Sequence, residues 1–179
     1  MARTTFQGPV RSLNGFYTQG PGAVLAITSS TTLSPAVHGG RILTIGGSLA
    51  ANVVLTLPTI NASADPSSSG PGSDPNTLNN EGVVYTIWVP TTISTSSLKI
   101  GTDGTDKYVG SVLSIDTDSS NVTVGFVPAS TNDFINLNGT TTGGVAGTWI
   151  QIVAVAALKY MVTGTVLGTG VVATPFADS

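Results

Sequence analysis

Few side chains in this sequence have the chemistry of an acid, base, nucleophile or metal ligand. It contains one histidine, His38, one glutamate, Glu81, and no cysteine. A nucleophilic triad needs a base in contact with an orienting acid. His38 lies in the turn-like segment SPAVHGG with no acidic residue nearby in the sequence. We therefore expect a surface or loop histidine with no catalytic role.

Two aspartate pairs are the remaining candidates for chemistry, Asp103 with Asp106 and Asp116 with Asp118. Paired carboxylates serve glycoside hydrolysis, and with carbonyl oxygens they bind calcium. However, aspartate in Asp-Gly and Asp-Thr-Asp turns usually accepts hydrogen bonds from nearby backbone N–H groups. There is no EF-hand spacing and no glutamate to close a calcium site. We predict turn residues, no catalytic residue, no metal, no cofactor and no enzymatic activity.

The two tryptophans, Trp88 and Trp149, allow two interpretations. Exposed indole rings form platforms on which sugars stack, whereas a tryptophan within a strand more often packs in the core. The sequence favours the core at both positions.

The composition is typical either of a protein whose surface is largely covered by neighbouring molecules or of a β-protein with a threonine-rich solvent face. Only 8% of the 179 residues are charged, against a usual quarter or so, while 40% are hydrophobic. The net charge is −3 and the six basic residues are dispersed, so nucleic-acid binding is not expected. The segment MARTTFQGPV has no apolar core of a signal peptide, which predicts synthesis in a cytoplasm.

The longest apolar stretch, Thr148 to Gly164, predicts two β-strands at roughly 148–156 and 158–163. A helix is the rival, but the β-branched residues disfavour it, and Lys159 interrupts the stretch too early for a membrane span. Period-two alternation gives two mostly apolar faces. The strand is therefore either buried on both sides, or has one face in a core and the other in a subunit interface. One face comprises Trp149, Gln151, Val153, Val155 and Ala157; the other comprises Ile150, Ile152, Ala154 and Ala156.

Ten or eleven short strands follow one another at spacings of roughly 8–15 residues, separated by Gly, Pro and Asn turns. No segment has helical periodicity with caps. This pattern predicts an all-β fold, a jelly-roll-like antiparallel sandwich or barrel, formed by a single domain over 23–179. The Ser/Pro/Gly-rich segment 59–82 reads as a long solvated or contact loop. Predicted strands cover 23–28, 41–45, 53–57, 83–89, 98–100, 107–115, 122–127, 134–137, the 148–163 pair and 166–173.

Residues 1–22 lack a sustained period and read as an extended N-terminal arm. Gly8-Pro9 and Gly20-Pro21-Gly22 break regular structure. We predict that the scattered apolar side chains dock on a partner, the alternative being a floppy terminus. The docking residues would be Phe6, Val10, Leu13, Phe16 and Tyr17.

Several short motifs together resemble the decoration, or cement, proteins of tailed-bacteriophage capsids, which have a jelly-roll-like β domain. The resemblance covers roughly residues 40–164 and rests on the order and spacing of the motifs. Tail-spike and tail-fibre head domains share this pattern. The motifs are Leu55-Thr56-Leu57-Pro58, the strand from Gly82 to Val89, the turn from Ile100 to Asp106, Tyr108-Val109-Gly110, Gly147-Thr148-Trp149 and Tyr160-Met161-Val162-Thr163-Gly164.

The resemblance implies a structural protein on the outer surface of the virion that binds the major capsid protein and stabilises the phage head. It also implies a homotrimer, in which the face of Trp149, Val153 and Val155 would contact the other subunits. The alternative is a tail-fibre or tail-spike head domain that binds a receptor glycan through the 59–82 loop and Trp88.

Overall fold

A computed structural model describes residues 19–62, 79–118 and 122–178, which form a nearly all-β structure. The alternation of β-branched and polar residues produces short strands, and Gly, Pro and Asp turns end them. The strands are β1 (Val24–Ala26), β2 (Thr31–Thr32), β3 (Ile42–Thr44), β4 (Val53–Thr56), β5 (Val84–Trp88), β6 (Leu98–Gly101), β7 (Lys107–Gly110), β8 (Val112–Asp116), β9 (Thr123–Phe126), β10 (Phe134–Leu137), β11 (Trp149–Ala156), β12 (Lys159–Gly168) and β13 (Phe176–Ala177).

The strands form two sheets. The large sheet has the order β1-β3-β5-β11-β12-β8-β9, and β7 also pairs with β12 beside β8. The small sheet has the order β13-β10-β6-β4-β2. From β1 to β6 the chain alternates between the two sheets, placing odd-numbered strands in the large sheet and even-numbered strands in the small one. The predicted all-β sandwich is therefore confirmed.

The predicted antiparallel pairing is only partly correct, because both sheets are mixed. β1, β3 and β5 are parallel neighbours in the large sheet, and β2, β4 and β6 are parallel neighbours in the small one. The reason is the alternation of the chain between sheets. Each strand leads across to the other sheet and the chain returns in its original direction, so strands that are neighbours in a sheet are not consecutive in the sequence.

A single hydrophobic core contains inward-facing side chains from both sheets. Leu43, Ile87 and Ile152 of the large sheet belong to the same cluster as Leu55 and Ile100 of the small sheet, and all are buried. Polar links also join the layers, since the Tyr108 hydroxyl on β7 donates to the Ile100 carbonyl on β6 at 3.1 Å. The core therefore fixes which face of each sheet points outward.

The strands β11 and β12 correspond to the two strands predicted at roughly 148–156 and 158–163, and they pair as an antiparallel hairpin. A two-residue turn joins them, in which Leu158 has φ 63°, and a bulge between Ala154 and Ala156 shifts the register. β12 is longer than predicted and continues to Gly168. Consequently the strand predicted at 166–173 is wrong: its first residues extend β12, and 169–173 are not in a strand.

Gly110 explains why the predicted strand 107–115 is divided into β7 and β8. This glycine has φ 101°, and a Cβ atom there would lie 2.3 Å from the Val162 carbonyl oxygen of β12. Only glycine tolerates both conditions. The two halves therefore pair in turn with successive parts of the same strand.

Three short elements were not predicted from the sequence. β2 and β13 have two residues each, too few to show alternation. The segment SPAVHGG contains a four-residue helix, α1 (Pro35–His38), with proline in its first turn.

Candidate interaction surface

The alternation of β11 separates a core face from an outward face. Ile150, Ile152 and Ala154 are buried, whereas Trp149 and Val155 are exposed. Within the single chain one face of β11 lies in the core and the other is turned outward, so burial of both faces within the chain is wrong. The subunit interface predicted for the outward face stays a prediction. The predicted contact residues Trp149, Val153 and Val155 thus lie on one outward face.

The prediction that Trp88 and Trp149 are core residues is wrong. They are direct register partners on β5 and β11 and remain 42% and 39% exposed. Their inward neighbours Ile87 and Ile150 fill the core instead. The sequence does contain a signal for this exposure, since alternation places Trp149 on the same face of the strand as the polar residue Gln151. The general preference of tryptophan for the core pointed the other way.

The outward apolar surface extends across six strands of the large sheet. We call it the outer face. In register, Thr44, Trp88, Trp149, Thr165 and Leu113 form one row across β3, β5, β11, β12 and β8. Its large apolar side chains are each between 39% and 46% exposed. These are Val24, Ile42, Trp88, Leu113, Trp149, Val155 and Met161.

Between these apolar side chains the outer face carries threonine and glutamine rather than charge. Thr86, Gln151 and Thr163 form the row next to the tryptophans. Charged outward positions occur only at one end of the described sheet, where Lys159 pairs in register with Lys107. The Lys107 ammonium group is itself held at 2.8 Å by the Asp133 carboxylate. The exposed apolar area is on the order of 500–600 Å², the upper end for a monomer.

No protein-family model, curated protein or solved structure matches this chain.

The predicted arm residues Phe6, Val10, Leu13, Phe16 and Tyr17 lie outside the described residues. The described part of the arm, from Gln19, enters β1 through a turn in which the Ala23 N–H donates to the Gly20 carbonyl at 3.0 Å.

The predicted loop 59–82 is described only at its two ends, and residues 63–78 lie outside the description. Asn80 joins the ends through both its backbone and its side chain. Its side-chain Oδ1 accepts from the Asn61 N–H at 2.9 Å, and its Nδ2 donates to the Thr59 carbonyl at 2.9 Å. Asn80 is buried, so this connection is a fixed base for the loop.

His38 has a structural role at the end of α1. Its Nδ1 accepts a hydrogen bond from the Ser34 N–H at 2.9 Å. Partial burial lowers the pKa of His38, the Ser34 hydrogen bond opposes that shift, and the charge of Arg41 adds to it. His38 is partly buried and is the last residue of α1, whereas the sequence predicted a surface or loop position.

Asp103 and Asp106 occupy a turn, as predicted, but their environments differ. Asp103 Oδ1 accepts from the N–H groups of Thr105 and Asp106, and Oδ2 accepts from the Thr59 hydroxyl at 2.7 Å. Burial alone would raise the pKa of Asp103, but these hydrogen bonds outweigh it and lower the pKa. The turn thereby also binds the segment that begins the 59–82 loop.

Asp106 is fully buried, which the sequence did not indicate. Its Oδ2 accepts from the Ile60 N–H at 2.9 Å, while Oδ1 has no hydrogen-bond partner among the described residues. Burial raises the pKa of Asp106, the Ile60 hydrogen bond partly offsets that, and the Asp103 charge raises it further. The hydrogen bond from Ile60 joins this buried carboxyl group to the start of the 59–82 loop.

Asp116 and Asp118 also form a turn. Asp116 Oδ1 accepts from the Asp118 N–H at 3.0 Å, and Asp118 Oδ2 accepts from the Gly170 N–H at 2.9 Å. Within 19–62, 79–118 and 122–178, no group of three or more acidic or histidine side chains is placed to hold a metal ion. The same residues include no helix that is long and apolar enough to cross a membrane.

Proposed function

We propose that this chain is a structural virion protein, a capsid decoration or cement protein of a tailed phage. It binds the outer surface of the major capsid protein and stabilises the head without catalysis. The observation that carries this proposal is the uncharged outer face, with about seven half-exposed large apolar side chains on a rigid sheet. A protein assembled in a host cytoplasm keeps such a surface when a partner covers it.

Self-association into a homotrimer is the part of this proposal that the outer face supports most directly. A standard interface buries about 800 Å² on each partner, and obligate interfaces are larger and more apolar. The apolar side chains of the outer face supply more than half of that area, and its threonines and glutamine supply hydrogen-bonding groups. Trp149, Val153 and Val155 lie along its central strand, where the least solvent would remain after association.

Attachment to the capsid is assigned to the arm, residues 1–22. A trimer carries three arms, so once one is bound the others bind at high effective concentration. Deleting residues 1–22 is expected to weaken binding to undecorated capsids while the protein stays trimeric, measured by co-sedimentation and by solution mass. If the truncated protein saturates capsids at the same concentration as the full chain, the assignment to the arm is wrong.

A second candidate function is a tail-fibre or tail-spike head that binds receptor glycans. The observation in its favour is the exposure of Trp88 beside Trp149, since neighbouring indole rings on a sheet suit the apolar faces of sugars. In a glycan array, binding that Trp88→Ala abolishes without lowering the unfolding midpoint would favour this function. Val155→Ala, equally exposed on the same face, is the matched control. An array without any binding would exclude it.

A further inference from the structure

β9 forms one end of the large sheet, and its outer edge carries no blunting feature. Among the described residues it pairs only with β8. The segment Val122–Val127, VTVGFV, contains no charge and no proline, and Val127 at its end is 73% exposed. Edge strands of soluble proteins usually carry lysine, proline or a bulge that prevents pairing with another chain. This edge is therefore open to a further strand.

The direction of the β9 backbone groups follows from its pairing with β8. The Asp116 N–H donates to the Val122 carbonyl at 2.8 Å. Hydrogen-bonded residues alternate along an antiparallel pair, so Val124 and Phe126 also bond to β8. The N–H and C=O groups of Thr123, Gly125 and Val127 therefore point to the open side, and no described residue binds them.

Gly125, at the centre of these three residues, is not required by the fold of one chain. Its φ lies outside the left-handed region, and an added Cβ would meet no atom within 4 Å. Gly110 and Gly164 in neighbouring strands differ, because a Cβ there would collide with backbone. An interior strand glycine costs roughly 0.5–1 kcal/mol relative to alanine and often marks the close approach of another backbone.

We propose that two copies of this chain pair antiparallel through their β9 strands, about a two-fold axis at Gly125. Thr123 of one copy then faces Val127 of the other, and Gly125 faces Gly125. Each hydrogen-bonded pair exchanges two bonds, so every outward N–H and C=O of these residues is satisfied, and no like charges meet. The two large sheets become one sheet, and their outer faces lie on the same side of it.

These observations favour a second copy of this chain as the strand that pairs with the β9 edge. The outward N–H and C=O groups of Thr123, Gly125 and Val127, with glycine at the centre, match the same groups of an antiparallel copy. The pairing is isologous and closes at two copies. It goes beyond the proposed function and does not depend on it, since it needs neither a capsid nor a trimer.

A single cysteine at the axis tests the pairing, because the chain has no cysteine of its own. Opposed residues of a hydrogen-bonded antiparallel pair lie about 5.5 Å apart between Cα atoms, within the range of a disulfide. Gly125→Cys is expected to give a covalent dimer on mild oxidation. The control Ala26→Cys, exposed on β1 at the opposite end of the sheet, is expected to give none.

Two outcomes of the cysteine experiment would overturn the proposal. One is that Gly125→Cys crosslinks no faster than Ala26→Cys. That result is expected if residues 1–18 or another protein pair with the outer edge of β9 instead. The other is that a mixture of the two variants gives mainly the mixed dimer, which would indicate head-to-tail contact between β9 and β1.

A charge at the axis provides a test without crosslinking. Gly125→Lys brings two ammonium groups together at the axis, whereas Gly125→Ala adds only a methyl group, and both fit the single chain. Association of two copies through β9, measured as a doubling of mass beyond any association through the outer face, is expected to be lost with lysine and retained with alanine, in sedimentation velocity. Equal association of the two variants would contradict the pairing, and unchanged unfolding midpoints would show that both fold.

Discussion

At the scale of single residues, the turn between β6 and β7 holds two aspartates whose pKa values are shifted in opposite directions. Asp103 is stabilised as a carboxylate by three hydrogen bonds, whereas Asp106 is buried with one oxygen that has no partner among the described residues. Both bind the chain at the start of the 59–82 loop, through Thr59 and Ile60. Since the folded state prefers the charged form of one and the neutral form of the other, they affect stability in opposite ways as the pH changes.

Replacing each of these aspartates by asparagine is expected to give opposite pH dependences. The raised pKa of Asp106 means that the parent protein loses stability as pH rises above about 4, so Asp106→Asn gains relative stability from pH 4 towards neutrality. The lowered pKa of Asp103 means that the parent gains stability as pH rises towards about 4, so Asp103→Asn loses relative stability over that interval. Urea unfolding between pH 2.5 and 7, with buffers of constant ionic strength, measures both. Differences of the same sign would contradict the assigned environments.

A second prediction at this scale concerns two buried tyrosines of the core, Tyr160 and Tyr85. The Tyr160 hydroxyl donates to the Pro58 carbonyl at 2.6 Å, whereas the Tyr85 hydroxyl is buried without a partner among the described residues. Tyr160→Phe is expected to cost about 1–2 kcal/mol, because it leaves the carbonyl unpaired. Tyr85→Phe, the matched control, is expected to be neutral or stabilising. Equal destabilisation of both variants in urea unfolding would refute this account.

At the scale of elements, the hairpin turn between β11 and β12 contains strain that can be removed. Leu158 has φ 63°, in the left-handed region that is unfavourable for residues other than glycine. Its side chain is 52% exposed, so burial of the side chain offsets little of that cost. Leu158→Gly is expected to raise the free energy of unfolding by about 0.5–1 kcal/mol. Ala157→Gly, at the neighbouring turn residue without positive φ, is expected to lower it. A loss of stability in both variants would show that the turn is not strained.

The sequence predicted individual strands better than their arrangement. The alternation of apolar and polar residues located strands such as β5, β9 and β11, because this pattern depends only on the residues of the strand itself. It did not reveal that β1, β3 and β5 are parallel neighbours, because that depends on which sheet each strand joins. Strands of two residues, such as β13, carry no readable period. Sequence reasoning therefore predicted the all-β sandwich, but the antiparallel pairing it predicted is only partly correct.

The candidate surface was predicted in part. Trp149, Val153 and Val155 were placed on one face because alternation along one strand is local. The two tryptophans were misassigned to the core because general preferences for buried aromatic residues outweighed their phase. The burial of Asp106 was not predictable, since it depends on contact with Ile60, which is 46 residues away.

At the scale of the whole molecule, the alternation of the chain between two sheets has a consequence for function. Every strand of the large sheet turns its alternate residues outward, so residues distant in sequence, such as Ile42, Trp88 and Met161, form one uncharged surface. We therefore expect a substitution in its centre to affect the proposed association of copies without entering the core.

The central claim is that the outer face joins copies of this chain, and the mass of the protein in solution tests it most directly. Sedimentation equilibrium is expected to give a trimer, or a multiple of three chains. Val153→Lys, in the centre of the face, is expected to abolish trimer formation without lowering the unfolding midpoint, whereas Val37→Lys, at an exposed residue of α1, leaves the trimer intact. A parent protein that stays monomeric at all concentrations, or a trimer that Val153→Lys leaves unchanged, would contradict the account.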